Sequence, residues 1–435
     1  MGVPAVIVRV TQKHQSGVTL IELMVALVLG LLVAAGIVTV FMSTSSSNRA
    51  QTQLARLQEE GRFAINRLTS DMQMANAQYC TNTGGVAKAT NSGTYVDGLR
   101  ASMVYAKSLT AALSDNTTTM GSGSYPGVPT SPYAFPSFLS MRGYDCDSST
   151  CTPVKPETGT TLPAMGKAVG SRVIGADVLT LRYLDSSGGW AVTGGAGTSI
   201  TASGGSISSI TLVPASNEST AAAFKSGDLA MVADCSGSQI FAASIASGVI
   251  TPDGTNNLGT PASQQPMSAA RVFDFNKSYQ TVTYYLAVVD NGNGQTTGAL
   301  IRRLNGVDQE LVRGIERMDF LYGVEDSNGN TRYLTADKVD AGTACTTAAP
   351  GVLSSDPGCM WRSVKSIEVN VLMDGQIPLY TLLSSDMQYS YGSDATTTAL
   401  AAPSGHAITP SAQGFPDQML RREFSALVSV RNFNP

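Results

Sequence analysis

Glu22 sets a carboxylate directly against an unbroken apolar run, and that placement asks for a positive partner. From Leu23 to Met42 the sequence reads LMVALVLGLLVAAGIVTVFM, with no charged side chain. An ionised carboxylate in such surroundings costs about 2.5–3.5 kcal/mol at mid-membrane and less near an interface. A cation held in the same low dielectric offsets much of that cost, so the pair acts as a register device. The second chemistry is that of six cysteines: Cys80, Cys146, Cys151, Cys235, Cys345 and Cys359. None forms a CxxC, their spacing is not that of a zinc site, and only His14 and His406 could add imidazole. An even number on an exported chain reads as disulfides formed in an oxidising compartment. Six cysteines allow fifteen pairings. Short loops favour Cys146–Cys151 and Cys345–Cys359, which leaves Cys80–Cys235; the competing reading is a set of free buried thiols.

Other chemistry is sparse. Asp326, Asn328 and Asn330, with Asp337 at the twelfth position, echo a calcium loop. The sixth position is Thr331 where such loops need glycine, and a polar turn is the better reading. The glycine-rich stretches 194–197 and 292–294 do not join a strand to a helix, so they do not read as phosphate cradles. No G-x-S-x-G, H-E-x-x-H or P-loop occurs. His406 sits in a Pro/Ser/Gly/Ala loop and reads as solvated. Asp145 and Asp147 read as a polar loop around Cys146, and Trp190 and Trp361 as core or edge anchors rather than ligand platforms. No catalytic residue, cofactor, metal or small-molecule substrate is expected. A net charge of −4 offers no basic field for nucleic acid.

The elements that would position Glu22 are legible. Residues 23–42 span about 30 Å as a helix, the thickness of a bilayer core. A secretory signal would have a shorter apolar core followed by an A-x-A-like site. Counting positive charges does not orient the span, because Arg9 and Lys13 on one side face Arg49, Arg56 and Arg62 on the other. Beyond it, no proline occurs between Ser43 and Gln78. Leu54, Leu57, Gly61, Ala64, Ile65, Leu68, Met72, Ala75 and Tyr79 recur at helical steps, which predicts an amphipathic continuation with one buried stripe. Together 18–78 would form a rod of roughly 90 Å, with Ser43-Thr44-Ser45-Ser46-Ser47 as a weak point. The domain plan is then a leader at 1–17, an apolar half at 18–42, an amphipathic half at 43–78 and a β-rich head at 79–435.

In the head, 81–170 read as long surface loops with a few strands. Strands are predicted at Asp177–Leu184, Leu229–Cys235, Thr281–Val289, Ala299–Leu304, Leu311–Tyr322 and Ile367–Met373. The last strand runs from Arg421 to Val430, with Phe424, Ala426, Val428 and Val430 on one face. Asp290 to Gly294 signals a hairpin turn. Charged residues make up only 14 % of the chain, and Gly, Ser and Thr fill the gap, as suits a loop-rich extracellular β-protein. One helix followed by mostly antiparallel strands is an α+β architecture.

The run Gly17-Val18-Thr19-Leu20-Ile21-Glu22 before an apolar helix resembles the class III leader of type IV pilins and pseudopilins. In that family phenylalanine is commoner where Val18 stands. The segments GADVLTLRYL, TYYLAVV before IRRL, ELVRGIERMDFLYGVEDSNGN, WRSVKSIEVNVLM and RREFSALVSVRN resemble PilW-type minor pilins. They lie within 172–242 and 280–435; residues 81–170 show no such likeness. The resemblance implies a long helix carrying a pilin head. It implies cleavage by a prepilin peptidase between Gly17 and Val18, N-methylation of Val18, and pairing of Glu22 with the α-amino group of a neighbouring subunit. It also implies an inner-membrane anchor with the head in the periplasm, and later a place at the pilus tip. The partners implied are other minor pilins, the major pilin and often a large adhesin-like tip protein. The rival readings are a J-like pseudopilin of type II secretion and a plainly anchored surface adhesin.

Overall fold

The computed structural model describes residues 17–79, 86–90, 93–97, 102–109, 113, 129–157, 161–235, 237–263, 269–292, 294–325, 331–341, 358, 360–361, 364–379, 389, 391 and 408–431. The chain divides into a unit ending at Thr52 and a unit running from Gln53 to Pro435.

In the first unit, helix α1 (Leu20–Met74) begins at Leu20, and its apolar side chains from there to Met42 are all exposed. No proline or charge interrupts this stretch after Glu22, so every backbone bond is made within the helix, as a bilayer requires. Among the described residues α1 is the one helix long and apolar enough to cross a membrane.

The second unit holds the rest of α1 and all the described strands. It opens with a hairpin of β1 (Val86–Thr90) and β2 (Gly93–Asp97). Next come the short strands β3 (Met103–Val104) and β4 (Tyr133–Ala134). A six-stranded sheet starts with β5 (Met141–Cys146), β6 (Cys151–Thr152) and β7 (Val178–Leu184). The chain then leaves for a nine-stranded sheet. That sheet takes in β3, β4, β8 (Trp190–Ala191), β9 (Ser199–Ser203), β10 (Ser206–Thr211), β11 (Leu229–Ala233), β12 (Ser238–Ala246), β13 (Val249–Pro252) and β14 (Arg271–Asp274). It returns with β15 (Tyr279–Gly292), β16 (Gln295–Leu304) and β17 (Val307–Arg313), completing the first sheet in the order β17-β16-β15-β7-β5-β6. Finally β18 (Ile315–Glu325), β19 (Thr331–Leu334), β20 (Val364–Asp374) and β21 (Arg421–Ser429) form a four-stranded sheet in the order β19-β18-β20-β21. A long helix followed by antiparallel strands makes the α+β class plain.

The helical stripe packs as its spacing predicts. Leu57, Gly61, Ala64, Leu68, Met72 and Ala75 are buried, and Leu54, Ile65 and Tyr79 are half-buried. Leu57, Ala64, Ile65, Leu68, Met72, Ala75 and Tyr79 share one core with Leu179, Leu181, Val282, Tyr284, Leu286, Met318, Phe320, Val369, Val371 and Val428. The closest approach is at Gly61: a Cβ there would lie 2.5 Å from Cζ of Phe424 on β21. A Gly61→Leu substitution therefore overpacks this contact and should destabilise the head by about 1–3 kcal/mol. Denaturant unfolding of the detergent-solubilised chain measures it. Adding Phe424→Ala should recover part of the loss, and no recovery would place the strain elsewhere.

Three expectations need correction. Leu311–Tyr322 is not one strand but the end of β17 and the start of β18, in two different sheets. The break is Gly314, at φ +82°, where a Cβ would sit 2.9 Å from the carbonyl oxygen of Asp374; only glycine fits such a conformation and approach. Residues 81–170 are not all surface loops. From Tyr133 to Cys146 every residue is buried, because this segment packs Phe135, Phe138, Leu139 and Met141 into the main core. Asp145 is part of that buried strand rather than of a polar loop; Asp147, two residues on, does form the turn, accepting from the backbone N–H groups of Ser149 and Thr150 at 2.7 Å each.

The nine-stranded sheet is buried on both faces over its central strands. Leu229, Met231, Ala233, Ile240 and Phe273 join the main core, while Ala230, Val232, Phe241 and Val272 face a second core with Trp190, Ile207, Ile210 and Phe224.

Candidate assembly site

Thr19 and Glu22 make a reciprocal cap at the start of α1. The Glu22 N–H donates to Thr19 Oγ1 at 3.2 Å, and the Thr19 N–H donates to Glu22 Oε2 at 3.3 Å. The Thr19 hydroxyl lies 3.4 Å from the same carboxylate oxygen. The first helical bond runs from Leu23 N–H to Thr19 C=O at 3.1 Å. This is a capping box, S/T-x-x-E, in which two of the orphan donors of a helix start are satisfied by side chains. Such a cap is worth about 1 kcal/mol, and the positive end of the helix dipole favours the carboxylate there. The T-L-I-E run thus has a local physical role of its own: it fixes where the helix begins and holds the Glu22 carboxylate at that end. Gly17 and Val18 precede the cap in non-helical backbone and are exposed, Val18 by 71 %. A cut between them would leave the new amino terminus one residue from the cap.

A second carboxylate, Asp71, escaped the sequence reading. It sits on the buried stripe of α1 and receives Arg302 Nε of β16 at 2.6 Å and the Tyr284 hydroxyl of β15 at 2.6 Å. The Tyr183 hydroxyl of β7 donates to its other oxygen at 3.4 Å. Burial, reinforced by the Asp71 charge, pushes the Tyr284 phenol well above its usual range. The available signal was positional: Asp71 stands three residues after Leu68 on an otherwise apolar stripe, and a buried carboxylate is almost never unpaired. Nearby, Gln376 Nε2 donates to Glu60 Oε2 at 2.7 Å, and Gln53 Nε2 donates to the Ile377 carbonyl at 3.1 Å.

Cys146 and Cys151 are joined by a disulfide across the β5–β6 turn. Cys235 is also disulfide-bonded; Cys80, Cys345 and Cys359 lie outside the described residues. So do His14, His406, Asp326, Asn328 and Asn330. Among the described residues no group of three or more side chains could hold a metal ion. Trp190 and Trp361 are buried: Trp190 Nε1 donates to the Ser219 carbonyl at 2.7 Å and Trp361 Nε1 to Asp340 Oδ1 at 2.9 Å.

The prokaryotic N-terminal methylation motif matches residues 12–38, which contain the whole Thr19–Glu22 box. The type IV pilus-assembly protein W family, PilW, matches residues 283–432. These two matched segments are those of a PilW-type type IV pilin. No curated protein and no solved structure matches this chain. The PilW match begins within β15 and covers β16 to β21; Arg302 of β16, Phe424 of β21 and Gln376 in the bend after β20 reach α1 from it. It leaves out 172–242, where the sequence also suggested a likeness, and the whole of the nine-stranded sheet. The methylation motif and the single apolar N-terminal helix fit a membrane-anchored PilW-type pilin, and both matches point to a structural pilus component.

Proposed function

We propose that the chain is a minor pilin that helps to initiate assembly of a type IV pilus and then caps it, without catalysing a reaction. The observation that carries this reading is the capped start of α1: a carboxylate held at the head of an apolar helix whose side chains are all exposed. Exposed apolar side chains over some twenty residues are stable only in lipid or against other apolar helices. A prepilin peptidase cuts after Gly17, Val18 is methylated, and its amine, on a neighbouring subunit, becomes the cation that Glu22 accepts. In the inner membrane the head faces the periplasm, and after assembly it sits at the tip among other minor pilins, above the major pilin and beside a tip adhesin. Cys80–Cys235 and Cys345–Cys359 complete the disulfides.

Mass spectrometry of the N-terminal peptide tests the reading. Cells with the prepilin peptidase should give a peptide starting at methylated Val18; cells without it should keep the leader. A leader still attached in peptidase-positive cells would sink the proposal. Glu22→Ala should still be cleaved and inserted but should lose piliation almost entirely. Normal piliation with that variant would remove the role given to Glu22. Deleting the chain should abolish twitching and leave protein secretion intact; the reverse would assign it to a secretion system.

A further inference from the structure

The last strand of the six-stranded sheet, β17, pairs with β16 on one side and, among the described residues, with nothing on the other. Its ladder is set by the two-residue turn at Asn305 and Gly306, with φ of 49° and 84°, values that a type I′ hairpin needs. The turn closes on the Leu304–Val307 pair, followed by Arg303–Asp308, Arg302–Gln309 and Ile301–Glu310. Antiparallel pairs alternate between bonded and non-bonded. Ladder bonds therefore fall on Val307 and Gln309, and the backbone groups of Asp308 and Glu310 point to the free edge.

That edge borders a groove of about 570 Å³ between β17 and α1, with Phe63 and Leu311 among its walls. Phe63 is 52 % exposed and Val307 71 %, so apolar side chains remain on the surface here. Glu59, Glu60, Asp308 and Glu310 border the groove and the strand beside it; Arg56 pairs with Glu60, Arg303 with Asp308 and Arg313 with Glu310, so Glu59 is the surplus and the edge is acidic by one charge. A second copy of this chain is a poor occupant. Two β17 strands laid antiparallel and centred on each other would set Glu310 against Glu310, and like charges directly opposite are destabilising.

We propose that β17 and the α1 groove receive an extended, basic segment of a neighbouring, different pilin subunit, added to the sheet as a further strand. Main-chain bonds to Asp308 and Glu310 supply affinity. Specificity comes from an apolar side chain over Phe63 and a lysine or arginine opposite Glu310. The inference rests on the assembly reading above and names a partner surface for it.

Photo-crosslinking of the full-length chain in piliated cells tests it. One strain carries p-benzoylphenylalanine at Gln309; another carries it at Val33 in the apolar half of α1. The Gln309 probe should give an adduct with another pilin, mapping by mass spectrometry to an extended basic segment. Glu310→Lys should lower that adduct about tenfold while the Val33 adduct persists, which shows that the variant still folds and assembles. A lysine-to-glutamate change in the captured strand should restore it. A Gln309 adduct with another copy of this chain, one mapping to a helix, or one undiminished by Glu310→Lys overturns the inference. Adducts from Val33 but not Gln309 overturn it and leave the assembly reading standing. Adducts from neither overturn both.

Discussion

Asp71→Ala destabilises the head by about 3–5 kcal/mol, the range seen when one partner of a buried ion pair is removed. Both side chains of the pair are only 6 % exposed. Without the carboxylate, the Arg302 guanidinium is left in the core facing no charge of opposite sign from Asp71, and the Tyr284 hydroxyl loses its 2.6 Å acceptor. The pair itself need not stabilise the fold much, since two desolvated ions give back much of their Coulomb gain. Its contribution is to place: a carboxylate on the helix can meet its arginine in one rotation of the helix only. The double variant Asp71→Leu/Arg302→Met should accordingly be much closer to the parent than Asp71→Ala. Denaturant unfolding of the detergent-solubilised chain measures all three. If the double variant were as unstable as the sum of its single changes, the pairing argument would fail.

The second large effect belongs to Arg421, which opens β21. Its Nε and Nη2 donate to the two oxygens of Glu316 at 2.6 and 2.9 Å, and neither side chain is more than 2 % exposed. Burial pushes the Glu316 carboxyl up to about 8; Arg421 pulls it down, and the nearby Asp374 carboxylate pushes it up again. A carboxyl whose folded pKa lies above its unfolded value of 4.5 binds its proton more tightly in the native state. Its contribution to stability is then full below pH 4.5 and is lost as pH rises toward 8. Arg421→Met removes the one group that favours the ionised form, so it should cost about 3–5 kcal/mol at pH 8 and clearly less at pH 5, where Glu316 stays neutral in the fold. A loss of equal size at both pH values would show that packing, not the buried carboxyl, governs this site. Glu316→Gln should flatten the pH dependence in either background.

The sequence carried the helix well, because a 3.6-residue period survives the buried polar intruders Gln53 and Asp71, but not its end: α1 stops at Met74, short of the expected Gln78, and Asn76 just beyond takes a φ of 63°. It also carried β7, β11, β20 and β21, and the β15–β16 hairpin with its Asp290–Gly294 turn, where apolar alternation and turn residues agree. The Thr19–Glu22 cap was not read, although its partners stand only three residues apart. Asp71 and Arg302 are separated by 231 positions, and no local pattern joins them. β5 was hidden because it is buried on both faces, and its MRGYDC sequence shows neither alternation nor a continuous apolar run. The outer strands β9 and β10 were hidden by composition. SITAS and SISSIT carry few large apolar residues, and their turn, Gly204-Gly205, resembles any glycine-rich loop. The Asn305-Gly306 turn, by contrast, was a plain signal passed over between the strands expected at Ala299–Leu304 and Leu311–Tyr322.

Tyr279 and Leu184 lie directly opposite each other on β15 and β7. Everything from 185 to 278, and so most of the nine-stranded sheet, is an excursion whose two ends meet at one rung of a hairpin. An excursion of that kind can be remodelled in evolution without shifting the strands that carry it, but not equally everywhere. Along β11, β12 and β14 the side chains wall off the main core, and a deletion there would open it to water. At the rim, among the described residues, β9 pairs with β10 alone. Lineages of this chain are therefore expected to keep the wall and diversify the rim, so that sequence drift on the head should be steepest farthest from the helix-bearing core.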